Sequence, residues 1–174
     1  MIYKERPTDK REDREEKVYD VLETLGISFE RVDHSEANTI DDCKAVEDEL
    51  GTKICKNLFL SNRQATEFYL LIMEGEKRFV TKDFSKKIGT SRLSFASEEN
   101  LMKYLNTRPG SASILGLIFD FGKNVNLYID KDVADAEYFG CHPCKNTSSL
   151  KIQTKDIMEN FLPYIKVVPN IIEI

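Results

Sequence analysis

The sequence predicts an α+β fold in a single domain, and three observations point there. Short strand-like runs are mixed with several helical segments without strict alternation, which disfavours a doubly wound sheet. No glycine fingerprint follows the first strand, as a βαβ nucleotide fold would require. The 174 residues contain no internal repeat and no Pro/Gly-rich linker, and a chain of that size encloses one core without metals or disulfides.

The elements follow in order. Residues 9–25 read as a helix: Asp9 and Glu12 have capping-box spacing, Val18, Val21, Leu22 and Leu25 share a face, and Gly26 stops it. A short strand is expected at Ser28–Val32. A second helix follows Thr39, with Asp42 as capping partner, an apolar stripe of Ile40, Cys43, Val46 and Leu50, and Gly51 at its end. Lys56–Leu60 and Phe68–Met73 form a hairpin pattern around Ser61-Asn62-Arg63-Gln64. Arg78–Thr81 reads as a further strand leading into a short helix near Asp83–Ile88. Leu93–Ala96 is a brief strand, and Ser97 caps a helix through Leu105. Ser113–Phe119 and Val125–Asp130 read as strands flanking Gly122-Lys123-Asn124. A polar loop at 140–149 precedes a strand at Leu150–Thr154. Thr154 then caps a last amphipathic helix of Ile157, Phe161 and Ile165, kinked or ended by Pro163.

Charge and composition narrow the function. A net charge of −5 argues against non-specific coating of nucleic acid. It still allows contact with one nucleic-acid end through a local basic rim. Lys82, Lys86, Lys87 and Arg92 form one candidate rim, and Lys145, Lys151 and Lys155 another; simple solvated lysines are the competing reading of both. No apolar run approaches the ~20 residues that span a bilayer. The charged N-terminus lacks a signal-peptide core. A cytoplasmic protein without membrane contact, its four cysteines reduced, is therefore expected.

Three segments carry candidate chemistry. In Gly140-Cys141-His142-Pro143-Cys144-Lys145-Asn146-Thr147-Ser148-Ser149, Pro143 restrains His142 to extended backbone, so the ring can be aimed at a ligand. Asn146, Thr147 and Ser148 can brace the loop; a purely structural turn is the alternative. The C-x-x-C spacing of Cys141 and Cys144 suits a redox pair, but here it falls near the end of the chain and leads into loop-like residues. Zinc would need a further ligand beyond Cys141, His142 and Cys144. In Pro109-Gly110-Ser111-Ala112-Ser113, small residues let backbone N–H groups approach a carbonyl or an oxyanion. Lys56 and Asn57 put two polar groups at the mouth of the apolar strand Leu58-Phe59-Leu60, although Lys56 can simply snorkel to water.

Taken together, these segments resemble the prolyl-tRNA editing branch of the YbaK/ProX superfamily. Lys56-Asn57-Leu58-Phe59-Leu60 is similar to its K-N-L-F-L strand. Gly89-Thr90-Ser91-Arg92-Leu93-Ser94-Phe95-Ala96-Ser97 is similar to its G-x-x-R-L-S-F-A-S segment. Pro109-Gly110-Ser111-Ala112-Ser113 is similar to its P-G-S-x-S loop, and His142-Pro143 with Asn146-Thr147 to its H-P-x-x-N-T loop. Thr39-Ile40-Asp41-Asp42 resembles its T-x-E-E helix start. The likeness runs from about Glu15 to Phe161. One departure stands out: Ile114 replaces the proline that usually closes P-G-S-x-S-P, restoring an N–H and adding bulk.

The resemblance implies a mixed, curved, barrel-like sheet flanked by helices. It also implies a freestanding deacylase, of ProX or PrdX type, that hydrolyses alanine wrongly attached to tRNA(Pro) without a cofactor or metal. Its partner would be the tRNA(Pro) acceptor end, with prolyl-tRNA synthetase a second candidate. Lys56 would anchor the terminal phosphate or carbonyl. Backbone N–H groups near Gly110 and Ser111 would stabilise the oxyanion. His142 would orient the ribose or a water. Thr39, Asn57, Ser113, Ile114, Asn146 and Thr147 would line the pocket. A non-catalytic tRNA-binding or regulatory relative is the alternative reading.

Overall fold

The computed structural model describes residues 1–37 and 40–174. Thr39, expected to open the second helix and line the pocket, lies outside the described residues. Helix α1 (Asp13–Thr24) is followed by β1 (Phe29–Asp33), α2 (Ile40–Leu50), β2 (Cys55–Ser61) and β3 (Phe68–Glu74). Next come α3 (Thr81–Lys87), β4 (Ser94–Phe95), α4 (Glu98–Leu105) and a 3-10 helix (Ile114–Phe119). The chain continues through β5 (Val125–Asp130), α5 (Lys131–Asp135), β6 (Tyr138–Cys141) and β7 (Ser148–Gln153). It closes with α6 (Thr154–Asp156), a π-helical stretch (Ile157–Phe161), α7 (Leu162–Tyr164) and β8 (Asn170–Ile172).

The architecture is α+β. An antiparallel sheet of order β1-β7-β6 faces a mixed sheet of order β4-β2-β3-β5-β8, in which β3–β5 and β5–β8 are parallel. The sheets meet where Ile54 bridges Gly140 in parallel, and they do not close into a barrel. The contact at this joint is backbone on backbone: a Cβ on Gly140 would lie 2.1 Å from the Lys53 carbonyl oxygen. No side chain fits there, and the joint sets the position of His142 two residues on.

Alternation along β2 and β3 divides the packing. Phe59, Phe68, Leu70 and Ile72 face the main core, with Val18, Tyr19 and Leu22 of α1, Ile114, Leu115 and Leu117 of the 3-10 helix, and Phe139 and Leu150 of the small sheet. Leu60, Tyr69, Leu71 and Met73 face a second cluster with Phe84 and Leu93. β3 is therefore apolar on both faces, which explains its continuous hydrophobic run.

Several expectations are corrected. The first helix begins at Asp13, not residue 9, because Glu12 occupies the N-cap and Asp9 pairs with Arg11 at 2.9 Å. Arg78–Thr81 is not a strand, since Val80 is already the N-cap of α3. Ser113–Phe119 is not a strand but a buried 3-10 helix whose Leu115 N–H is capped by the Ser113 hydroxyl at 3.1 Å. A short apolar run does not distinguish a buried helical turn from a buried strand. The 140–149 loop is shorter than expected, because β6 enters it and β7 begins at Ser148. Pro163 lies just after the π-helical stretch, and the helix ends at Tyr164 with Lys166 left-handed at φ +56°. Ser97 caps α4 as expected, accepting from Asn100 N–H at 3.2 Å. Among the described residues no helix is long and apolar enough to cross a membrane.

Candidate active site

Two segments distant in sequence are stitched together at the end of β6. The Ser113 hydroxyl donates to the His142 carbonyl at 2.6 Å. The Thr107 hydroxyl lies 3.1 Å from both the Ser111 and Cys144 carbonyls. Gly110, left-handed at φ +83°, sits against Asn146, whose Nδ2 would be 3.9 Å from a Cβ there. From β2, Asn57 joins the same cluster: its Oδ1 accepts from Ile114 N–H at 3.1 Å and its Nδ2 donates to the Cys55 carbonyl at 3.0 Å. The structure thus brings Asn57, Gly110, Ser111, Ser113, Ile114, His142 and Asn146 into one neighbourhood. Thr147 contributes its carbonyl, which accepts from His34 N–H at 3.0 Å.

His142 is the titratable group of this cluster. Its Nδ1 lies 3.0 Å from the Ser148 carbonyl. A carbonyl only accepts, so Nδ1 carries the hydrogen and Nε2 the lone pair. Burial holds the ring below the ordinary histidine pKa; the bond to Ser148 raises it, and the nearby His34 lowers it. His142 is therefore neutral near pH 7 and offers an acceptor at Nε2.

The backbone donors of the Gly110 loop are only partly free. Ser111 N–H donates to the Arg108 carbonyl at 3.0 Å, closing a turn. Gly110 and Ala112 N–H have no acceptor among the described residues. A developing oxyanion would meet these two rather than Ser111.

Lys56 does not join the cluster. It projects from the face of β2 that bears Leu58 and Leu60, opposite Asn57, and its ammonium donates to the Lys77 carbonyl at 2.7 Å. The lysine has no carboxylate partner among the described residues, whereas Lys53, Lys77, Lys145 and Lys151 each face one. Glu12, Glu30 and Glu159 thereby face all three lysines of one proposed basic rim, Lys145, Lys151 and Lys155.

The cysteines are free thiols. Cys141 and Cys144 are fully buried; burial raises both, Cys144 to about 12. An activated redox thiol has the opposite shift. Sequence reasoning gave the second histidine no partner. His34, just beyond β1, places Nε2 2.8 Å from the Ser149 hydroxyl, and the two imidazole rings are 6.4 Å apart. Their being the sole histidines of the chain was the available signal, but 107 intervening residues hid the pairing.

The model of the aminoacyl-tRNA editing domain matches residues 34–159 of this chain. The protein belongs to the aminoacyl-tRNA editing domain family. Every residue of the cluster lies inside the matched segment. Editing is hydrolysis of the ester between amino acid and tRNA, so the protein is an aminoacyl-tRNA deacylase. It is similar to the prolyl-tRNA editing protein ProX of Acetoanaerobium sticklandii, with 29% identity over 83% of this chain and 88% of that one. It is also similar to the prolyl-tRNA synthetase associated domain-containing protein 1 of Danio rerio, at 26% identity over 87% and 81% of the two chains. The fold matches a crystal structure described as a candidate trans-editing enzyme for prolyl-tRNA synthetase. That match has a TM-score of 0.69 at 15% identity and covers 95% of this chain and 99% of the other.

Proposed function

We propose that this editing domain acts in trans on tRNA(Pro) carrying a small wrong amino acid, alanine above all, and hydrolyses the ester with water. The observation that carries the reading is the neutral His142, whose Nδ1–H is held by the Ser148 carbonyl so that Nε2 is the acceptor, and whose own carbonyl is tied to Ser113 of the Gly110 loop. The likeness to ProX supports the choice of tRNA.

The ester is already labile, so positioning a water and stabilising the oxyanion suffice. His142 Nε2 accepts a proton from the attacking water, contributing a factor on the order of 10²–10⁴. The N–H groups of Gly110 and Ala112 donate to the tetrahedral oxyanion as it forms. Asn57 and Asn146 border the amino-acid side, and alanine is admitted where the proline ring is excluded by size. Lys56, on the face of β2 opposite Asn57, enters as an outer anchor for substrate phosphate, freed by releasing the Lys77 carbonyl. Its charge, which meets no carboxylate among the described residues, supports that role. The Cys141–Cys144 pair takes no part.

The test is a deacylation panel: tRNA(Pro) charged with alanine, cysteine or proline, and a different tRNA charged with alanine. Rapid loss of alanine from tRNA(Pro) alone is expected. Binding without hydrolysis would identify a non-catalytic relative.

A further inference from the structure

His34 and Ser149 lie outside the chemistry assigned above, yet their geometry bears on it. His34 Nδ1 lies 2.7 Å from the Ser35 carbonyl, so that nitrogen carries the hydrogen and Nε2 is the acceptor. The Ser149 hydroxyl, 2.8 Å from that Nε2, must therefore donate to it. Ser149 Oγ is also 3.4 Å from His142 Nδ1. Its hydrogen being directed at His34, it turns only a lone pair toward that Nδ1–H. Ser149 is 1% exposed, so its hydroxyl is a link and not a nucleophile.

We propose that His34 is a positioning residue that fixes the tautomer of His142 through the Ser149 hydroxyl. With His34 in place, both neighbours of His142 Nδ1, the Ser148 carbonyl and Ser149 Oγ, act as acceptors. The proton stays on Nδ1, and Nε2 remains the base facing the substrate. Without His34 the buried Ser149 hydroxyl seeks another acceptor, and His142 Nδ1 is within reach. Donation there favours the other tautomer, whose Nε2–H cannot take a proton from water. His34 N–H also holds the Thr147 carbonyl at 3.0 Å, which keeps the two histidines in register.

The inference rests on His142 acting as the base, but its main test needs no substrate. Long-range proton–nitrogen NMR reads the ring tautomer directly, and only two histidines are present. In the wild type, His142 should show a bare Nε2. His34→Ala should shift it toward the Nε2–H form and lower kcat about fivefold with KM nearly unchanged, the weight of one net hydrogen bond. His34→Gln, whose carbonyl can accept from Ser149, should retain the wild-type tautomer and most of kcat.

The distinguishing variant is the double one. Ser149→Ala in the His34→Ala background removes the competing donor, so the bare Nε2 and much of kcat should return. A role confined to stability predicts the reverse, a double variant worse than either single one. An unchanged His142 tautomer in folded His34→Ala, or no recovery in the double variant, overturns the proposal. If wild-type protein hydrolyses no charged tRNA, the functional reading fails, while the tautomer spectra still decide the positioning role.

Discussion

The backbone N–H of Ile114 donates to Asn57 Oδ1 at 3.1 Å, tying the first turn of the 3-10 helix to β2. A proline at position 114 has no such donor. The resemblance to prolyl-tRNA editing proteins singles out this position as the one where the chain departs from the usual loop. Ile114 itself is fully buried in the main core, so its bulk supports the site from behind rather than narrowing its mouth.

Substituting proline at position 114 tests that link. Ser113 already has extended backbone, φ −149° and ψ 146°, which a following proline tolerates. The loss is then the Asn57 hydrogen bond plus buried side-chain volume, about 2–3 kcal/mol together. Urea unfolding should show that loss for Ile114→Pro. The freed Asn57 amide should also change the ratio of alanine to cysteine removal. An unchanged ratio would take Asn57 out of substrate selection.

Gly140→Ala should be among the most damaging single substitutions. Its Cβ would meet the Lys53 carbonyl at 2.1 Å, backbone that cannot move without parting the two sheets. A loss of roughly 3 kcal/mol or more is expected, in the range of severe overpacking. Activity should fall beyond what stability explains, since His142 hangs from the same joint. Thermal unfolding alongside deacylation at a temperature where the variant is folded separates the two effects.

Lys56→Ala should fold like the wild type, because its ammonium, at the half-buried start of β2, is bonded to the Lys77 carbonyl and to no carboxylate among the described residues. Loss of its charge at an anionic substrate should lower kcat/KM by about a hundredfold or more. Circular dichroism and steady-state kinetics check both halves. Wild-type turnover would remove Lys56 from the mechanism and leave the His142 cluster intact.

The pH dependence follows from the direction of the His142 shift. Burial lowers its pKa below the ordinary histidine value of 6.5. The neutral base should therefore persist to acid pH, with kcat/KM rising through a pKa below 6.5. The stability sign agrees: the unfolded chain takes up this proton first, so stability falls as pH drops below 6.5 and stops falling below the folded pKa. A kinetic pKa above 7 would mean a different base.

Much of this molecule was legible in its sequence. The hairpin of β2 and β3, the Ser97 cap and the amphipathic helices follow from local periodicity and turn chemistry. Three features did not. The run Ile114–Phe119 is apolar throughout, so its period is silent, and burial against Leu105 decides for the 3-10 helix. β8 is three residues whose pairing with β5 is set by distant chain. The side of β2 from which Lys56 projects depends on which face packs the main core, and both faces are apolar. The site was legible as motifs, but the His34–Ser149–His142 contact arises only from the pairing of β1 with β7.

In the proposed reaction neutral His142 directs water onto an alanyl ester of tRNA(Pro). Single-turnover deacylation of alanyl-tRNA(Pro), comparing wild type with His142→Ala, tests it most directly. The expected result is rapid hydrolysis by the wild type and a rate lower by about a hundredfold or more in a folded His142→Ala, the usual reach of a general base. Equal rates for the two proteins, or no hydrolysis by the wild type, would contradict it.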